Sequence, residues 1–265
     1  MDLYSEFAKF NIDTVGVCDA APYNAVMNTD YKVCIVALFP YFCGYPQDSN
    51  ISIYTHGRDY HKVITHILTE TAHSMGLDSY SVHTDIGPEV DRLLCVNAGL
   101  CFVGRNGMCI NDKYGSYFFI GYIACNAPLE LSKPLTGDCM GCMECVRSCP
   151  GGALTDGFCS DKCLSAITQK KGELCLWEKE LVVNNGTAFG CDICQRVCPH
   201  NVNAKYTPIA EFANDRVSRL NLDELSAMSN KEFKAKYGDR AFAWRGKAPL
   251  VRNLKLLKDA MISHY

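Results

Sequence analysis

Residues 33–39 form an unbroken apolar run of strand length, and residues 14–18, 80–83 and 117–124 share its β-branched and aromatic character, as buried strands do. Between them the period changes. Tyr60, Val63, Ile64, Ile67, Leu68 and Met75 recur at helical spacing over residues 58–75, and Gly76 is a natural stop. Pro88 opens another helix that runs to about Ala98. Strands alternating with helices predict an α/β domain over residues 1–133. Residues 134–205 lose this periodicity and become dense in Cys, Gly and Pro, as a segment organised around a cofactor does. Residues 206–265 then predict a short α-helical tail. Residues 220–237 and 249–262 are its helices, the second with Leu250, Leu254, Leu257 and Met261 on one stripe and Arg252, Lys255 and Lys258 on another.

At 265 residues, with 48% hydrophobic and 21% charged residues and a net charge of −3, the chain has ample core and the composition of a globular, non-membrane protein. Its longest apolar run is far short of the roughly 20 residues that cross a bilayer. The opening MDLYSEFAKF has no basic start followed by an apolar stretch, so the expected compartment is the reducing cytoplasm. There the 17 cysteines read as ligands and core residues rather than disulfides. Charge is unevenly spread: from Lys205 onward 12 Lys/Arg face 7 Asp/Glu, leaving 14 against 22 for the rest. A basic tail on an acidic body points to a polyanionic partner, and a solvated helix face is the plain alternative.

Cys139, Cys142, Cys145 and Cys149-Pro150 have the C-x2-C-x2-C-x3-C-P spacing of two-cluster ferredoxins, in which the fourth cysteine ligates the other cluster. Zinc sites use C-x2-C pairs and have no need of the trailing Cys-Pro. A second run, Cys191-x2-Cys194-x3-Cys198-Pro199, lacks its first cysteine because position 188 is Ala. The crossing rule puts Cys198 with Cys139, Cys142 and Cys145 in one [4Fe-4S] cluster. Cys149, Cys191 and Cys194 then need a fourth ligand in the second cluster, with Cys159, Cys163 and Cys175 as candidates. Cys18, Cys34, Cys43, Cys95, Cys101, Cys109 and Cys125 are expected to pack as small buried hydrophobes.

Clusters move electrons but do not choose a substrate. No G-x-G-x-x-G is present, and VGRNGM at 103–108 does not supply one, so no bound NAD or FAD is expected. His61, His66 and His73 lack the four-residue spacing that lets two imidazoles hold one metal and are expected to be solvated or packed. Asp85, just before Gly87-Pro88-Glu89, reads as a helix cap from its position alone.

GRDYHKV at 57–63, TDIGPEVDR at 84–92, NAGLCFVGRN at 97–106, GSYFFIGYI at 115–123, the two cysteine runs and WRGKAPLVRN at 244–253 together resemble the epoxyqueuosine reductase family, in order along most of the chain. That family is similar to reductive dehalogenases in joining a cobalamin-binding α/β domain to two [4Fe-4S] clusters. The resemblance implies a reductase that removes the epoxide oxygen of epoxyqueuosine in tRNA to give queuosine. It implies that Asp85 is the proton donor and that Cys163, in KCLSAIT, completes the second cluster. It places Asp59, Tyr60, Arg105 and Asn106 at the cobalamin. It also implies an external electron donor such as ferredoxin or flavodoxin, and a tRNA anticodon stem-loop as partner, for which Arg245, Lys247, Arg252 and Lys255 are the candidate contacts. The chain departs from the family in a short link between Asp19 and Lys32, where the family has a longer Met-, Arg- and His-rich segment, and in a shortened C-terminal helical region. A corrinoid reductase with a non-tRNA substrate and an electron-transfer protein with no substrate of its own are the alternatives. The size of the α/β domain argues against the second.

Overall fold

The longest apolar run lies inside a sheet. The computed structural model describes residues 2–135 and 137–263. In chain order it contains α1 (Leu3–Ala8), β1 (Val15–Asp19), α2 (Ala21–Met27), β2 (Val33–Pro40), α3 (Tyr60–Ser74), β3 (Tyr80–Thr84), α4 (Pro88–Asn97), β4 (Phe102–Val103), β5 (Cys109–Ile110) and β6 (Phe118–Cys125). There follow α5 (Glu144–Arg147), α6 (Leu164–Thr168), α7 (Leu176–Asn185), α8 (Ile193–Arg196), α9 (Ala210–Ala213), α10 (Leu222–Ala227), α11 (Asn230–Tyr237) and α12 (Ala248–Ser263).

The chain divides into two units. One comprises residues up to 43, 60–141 and 200–213, and the other 44–59, 142–199 and 214 onward. In the first, four strands form one sheet in the order β1-β2-β6-β3, with helices packed against it. All its neighbours pair antiparallel, a sense that alternation with helices does not by itself fix. Every residue of β2 is buried, because it is paired on both sides and covered on both faces. Val63, Ile64, Ile67 and Leu68 form the buried stripe of α3, each such side chain stabilising by about 1.5–3 kcal/mol. The helix packs so closely that a Cβ at Gly121 in β6 would lie 2.4 Å from the Ile64 side chain. Glycine there is a packing requirement. Gly76, with φ +66°, ends the helix as expected.

The second unit holds most of the cysteine-rich segment together with the C-terminal helices. Its core includes Ala188, Phe189, Leu220, Phe233, Leu250 and Leu254. Asn253, fully buried on α12, donates to the carbonyls of Thr168 and Ala188, both at 2.8 Å. This division differs from three successive segments because the apolar stripe of α12 finds its partners in the cysteine-rich segment. Residues 220–237 also form two helices rather than one. Ser229 accepts from Glu232 N–H at 3.2 Å and the Glu232 carboxylate accepts from Ser229 N–H at 2.7 Å, a capping box that starts α11 afresh. Among the described residues, no helix is long and apolar enough to cross a membrane.

Candidate active site and cluster ligands

In the first unit a cavity of about 160 Å3 is lined by Tyr60, Thr84, Asp85, Asp91, Arg92, Cys109, Phe118 and Phe119, among others. Asp85 follows β3 and takes a left-handed backbone with φ +59°, a conformation uncommon for any residue but glycine. It does not act as a helix cap. The cap position of α4 is Gly87, with no side-chain capping bond, and the Asp85 carboxylate instead accepts from the Tyr60 hydroxyl at 2.6 Å. His61 Nε2 lies 3.5 Å from the same carboxylate, whose side chain is 53% exposed. His61 is thus part of the site rather than a bystander.

Tyr60 is held flat. Its ring stacks on Phe119 at 4.1 Å and 9° and on His61 at 4.0 Å and 27°, while Tyr41 meets the Phe119 ring at 4.6 Å. Phe42 stacks on Tyr117 at 4.6 Å in turn. The result is an aromatic surface beside the carboxylate.

The electrostatics of this site were not legible in the sequence. The hydrogen bond from His61, followed by that from Tyr60, holds the Asp85 carboxyl below the usual carboxylate range against the opposing effect of burial. A proton donor calls for a carboxyl raised by burial, and in this conformation the hydrogen-bond partners outweigh burial. The raised carboxyl is Asp91, which burial, opposed by the hydrogen bond from Tyr122, pushes up to about 6. Tyr122 donates to it at 2.8 Å. Sequence reasoning missed Asp91 and Arg92. An acidic residue in the first turn of a helix is ordinary, and only the sheet behind it reveals its burial.

Of the four residues read as cofactor-binding, Tyr60 lines this cavity. Arg105 is exposed and Asn106 is 7% exposed, its amide oxygen accepting from Met108 N–H at 3.2 Å. Neither is among the residues that line the cavity. Asp59 lines a different cavity of about 500 Å3 in the second unit, with Lys234, Arg240, Trp244, Arg245 and Lys247.

In the second unit Cys149 and Cys163 act electrostatically on both Cys191 and Cys194, and Cys145 acts on Cys194 as well. Burial pushes the thiols of Cys191 and Cys194 up to about 12, and the sulfurs of Cys163 and Cys149 lie near enough to both to add to the shift. Thiols packed so that ionisation is costly are what a bound metal centre relieves. Of the other two candidates, Cys159 and Cys175 are exposed, and Cys175 is the cap of α7, its N–H donating to Glu178 at 2.9 Å. Ala188, where a full motif would have cysteine, is fully buried in the apolar core. Asp192 accepts from Ile53 N–H at 3.0 Å and from the Ser52 hydroxyl, and so fixes the loop between Cys191 and Cys194. Cys149 Sγ accepts from Ala153 N–H at 3.3 Å. Cys145 is buried, Cys139 and Cys198 are half-buried, and Cys142 is exposed.

The basic residues of the tail are unequal. Arg252 donates to the carbonyls of Lys170 at 2.7 Å, Gly172 at 2.6 Å and Thr168 at 3.3 Å, so its guanidinium is occupied with the turn after α6. Lys247 donates to the carbonyls of Leu225, at 3.2 Å, and Met228 after α10. Lys258 pairs with Asp223 at 2.9 Å. Arg252, Lys255 and Lys258 therefore do not form one free stripe. Lys255 is exposed, and Arg245 lies 4.0 Å over the ring of Trp244, which is itself 60% exposed.

Residues 138–201 match the model of a 4Fe-4S double cluster binding domain. Over 206 residues, 75% of this chain and 58% of the relative, the chain is 38% identical to the epoxyqueuosine reductase of Lactococcus garvieae (strain Lg2). The likeness is to the epoxyqueuosine reductases. The chain spans 58% and 53% of the lengths of the first two curated epoxyqueuosine reductases it matches. The solved epoxyqueuosine reductase of Streptococcus thermophilus covers 98% of this chain and is itself covered to 82%, with a TM-score of 0.81 and 24% identity, which shows a shared fold. An epoxyqueuosine reductase solved with an epoxyqueuosine-modified tRNA-Tyr stem loop has a TM-score of 0.78 at 25% identity, with 96% of this chain and 79% of that one covered.

Proposed function

We propose that this chain is an iron–sulfur and cobalamin-dependent reductase that removes the epoxide oxygen of epoxyqueuosine in tRNA to give queuosine. The reading rests above all on the Tyr60–Asp85 hydrogen bond of 2.6 Å at a cavity walled by aromatic rings, in a chain similar to the epoxyqueuosine reductases. Cys139, Cys142, Cys145 and Cys198 hold one cluster, and Cys149, Cys163, Cys191 and Cys194 the other.

Among the described residues the donors that close to within 4.8 Å of one another are Cys95, Cys101 and Cys109, and not the second quartet. A single zinc ion would draw its ligands to about 3.8 Å from one another, given Zn–S bonds near 2.3 Å. A cubane of four irons holds its ligands further apart. The spacing of the two cysteine runs is that of cubane ligands.

The cavity is too small for a whole corrin and suits the reacting end of a substrate. Tyr60, Arg105 and Asn106 are the residues of the first unit that would hold the cofactor. Bound cobalamin supplies a strong cobalt nucleophile toward the epoxide carbon. An external donor of the ferredoxin or flavodoxin type supplies two electrons, and two protons leave with the oxygen as water. The chain's own task is to deliver those protons. With water present, Asp85 is an anion that accepts from Tyr60. Substrate over its exposed half displaces that water, raises its affinity for a proton and lets it hand one to the departing oxygen. Tyr60 and His61 fix its direction and restore its proton.

The RNA contact falls to Trp244 and Arg245, with Lys255 as a phosphate partner. An exposed indole with a guanidinium stacked on it suits a splayed base beside its backbone. Reconstituting the chain anaerobically with iron, sulfide and cobalamin and incubating it with an epoxyqueuosine-containing anticodon stem-loop and a chemical reductant tests the proposal. Queuosine is expected. Stem-loop that binds but is never reduced would leave only an RNA-binding iron–sulfur protein.

A further inference from the structure

Three cysteines expected to be separate core residues converge. The Sγ atoms of Cys95, Cys101 and Cys109 all lie within 4.8 Å of one another, with Cys95 and Cys101 in contact at 3.0 Å. They are 0%, 1% and 7% exposed and come from three places in the chain: the last turn of α4, the turn after it, and the start of β5. The backbone fixes each. Leu100 N–H bonds to the Cys95 carbonyl at 3.1 Å, and Gly99, with φ +72°, turns the chain where a Cβ would strike the Lys133 carbonyl at 2.0 Å. Val103 pairs with Cys109 and Phe102 with Ile110, and the Asn111 amide donates to the Leu100 carbonyl at 2.7 Å.

Packing alone does not require this arrangement. Cys18 and Cys34 face each other across β1 and β2 in the same core, yet they do not belong to such a trio. We infer that Cys95, Cys101 and Cys109 form a three-thiolate site for a soft monovalent metal ion of the copper(I) type, separate from both iron–sulfur clusters.

Metal–sulfur bonds near 2.3 Å put the sulfurs of a three-coordinate ion about 4 Å apart, so the Cys95–Cys101 pair, at 3.0 Å, would open by about 1 Å on binding while the trio stays within 4.8 Å. Thiolates select soft ions, and copper(I) is satisfied by three of them. Zinc would call for a fourth donor, and the converging group has three members among the described residues. Leu94, Ala98, Leu100, Tyr114 and Phe118 belong to the same apolar core, which excludes water and protects a univalent ion from oxidation. Cys109 also lines the cavity that holds Asp85 and Arg92, so an ion has a path in and a cation faces its outer side.

The test uses the full chain with both clusters reconstituted, given one equivalent of copper(I) without oxygen and then freed of unbound metal. One copper per chain with iron content unchanged, and a shell of three sulfurs in copper X-ray absorption, is expected. Cys101→Ala and Cys109→Ser should each weaken copper retention at least tenfold against a copper(I) chelator, while Cys34→Ala retains it. The serine variant keeps the side-chain volume and guards against a simple folding defect. No copper on a chain with full iron, copper bound at the expense of iron, equal retention in the Cys101 and Cys109 variants, or a Cys95–Cys101 disulfide in chain isolated without oxygen would each overturn the site.

Discussion

Asp85 and Asp91 line the same cavity, and their surroundings drive their carboxyls in opposite directions. Asp85 is held low by His61 and Tyr60, and Asp91 is raised to about 6 by burial. Two carboxylates set apart in this way are the usual means by which one site keeps an anion and an acid at the same pH.

Replacing Asp85 with Asn should leave cobalamin and iron content normal and lower turnover about a hundredfold or more, since the amide keeps the shape and cannot supply the proton. Tyr60→Phe removes one of the bonds that hold the Asp85 carboxyl down, so the alkaline limb of the pH–rate profile, where a proton donor is lost, should move to higher pH. Full activity in Asp85→Asn at saturating reductant would remove this residue from the chemistry.

Asp91 predicts a pH dependence of stability. Its folded pKa lies above the unfolded value, so the folded chain keeps a proton that the unfolded chain has released. The corresponding stability is present below about pH 4 and is lost as pH rises through about 6. Anaerobic urea unfolding at pH 4.5 and 7.5 should show a smaller loss of stability across the interval in Asp91→Asn than in the parent chain. Equal losses would mean that the Asp91 carboxyl is not raised.

Cys163→Ala should lose one cluster, with about half of the iron and sulfide, whereas Cys159→Ala and Cys175→Ala keep both. Because metal binding is part of folding in such segments, the Cys163 variant should also be cleaved faster by protease within 142–199. Full iron in Cys163→Ala would reassign the ligand.

Arg245→Ala combined with Lys255→Ala should weaken anticodon stem-loop binding and flatten its salt dependence, as counterion release requires. Arg252→Ala should instead lower thermal stability, because three carbonyls lose their donor. If Arg252→Ala alone flattens the salt dependence, the basic face of α12 is the RNA contact after all.

How much of this was legible in the sequence depends on the range of the interactions involved. Spacing alone located β2, the buried stripe of α3 and both cysteine runs, because period and motif are local. The resemblance, rather than spacing, favoured Cys163, since Cys159 and Cys175 differ from it only in where the fold puts them. The fates of Arg252 and Lys247 were hidden because helical periodicity shows which face a side chain takes and not which carbonyls wait beneath it. Asp91 and the Cys95–Cys101–Cys109 trio were missed for the same reason. Burial by a strand far along the chain leaves no mark on the residues it covers.

The central claim is tested most directly by a single-turnover measurement. Reconstituted chain in excess over epoxyqueuosine-containing stem-loop is reduced without oxygen, and the nucleosides are then resolved by mass. The account predicts complete conversion to queuosine in the parent chain and essentially none in Asp85→Asn. Unconverted epoxyqueuosine alongside fully reduced clusters and cobalt would contradict it.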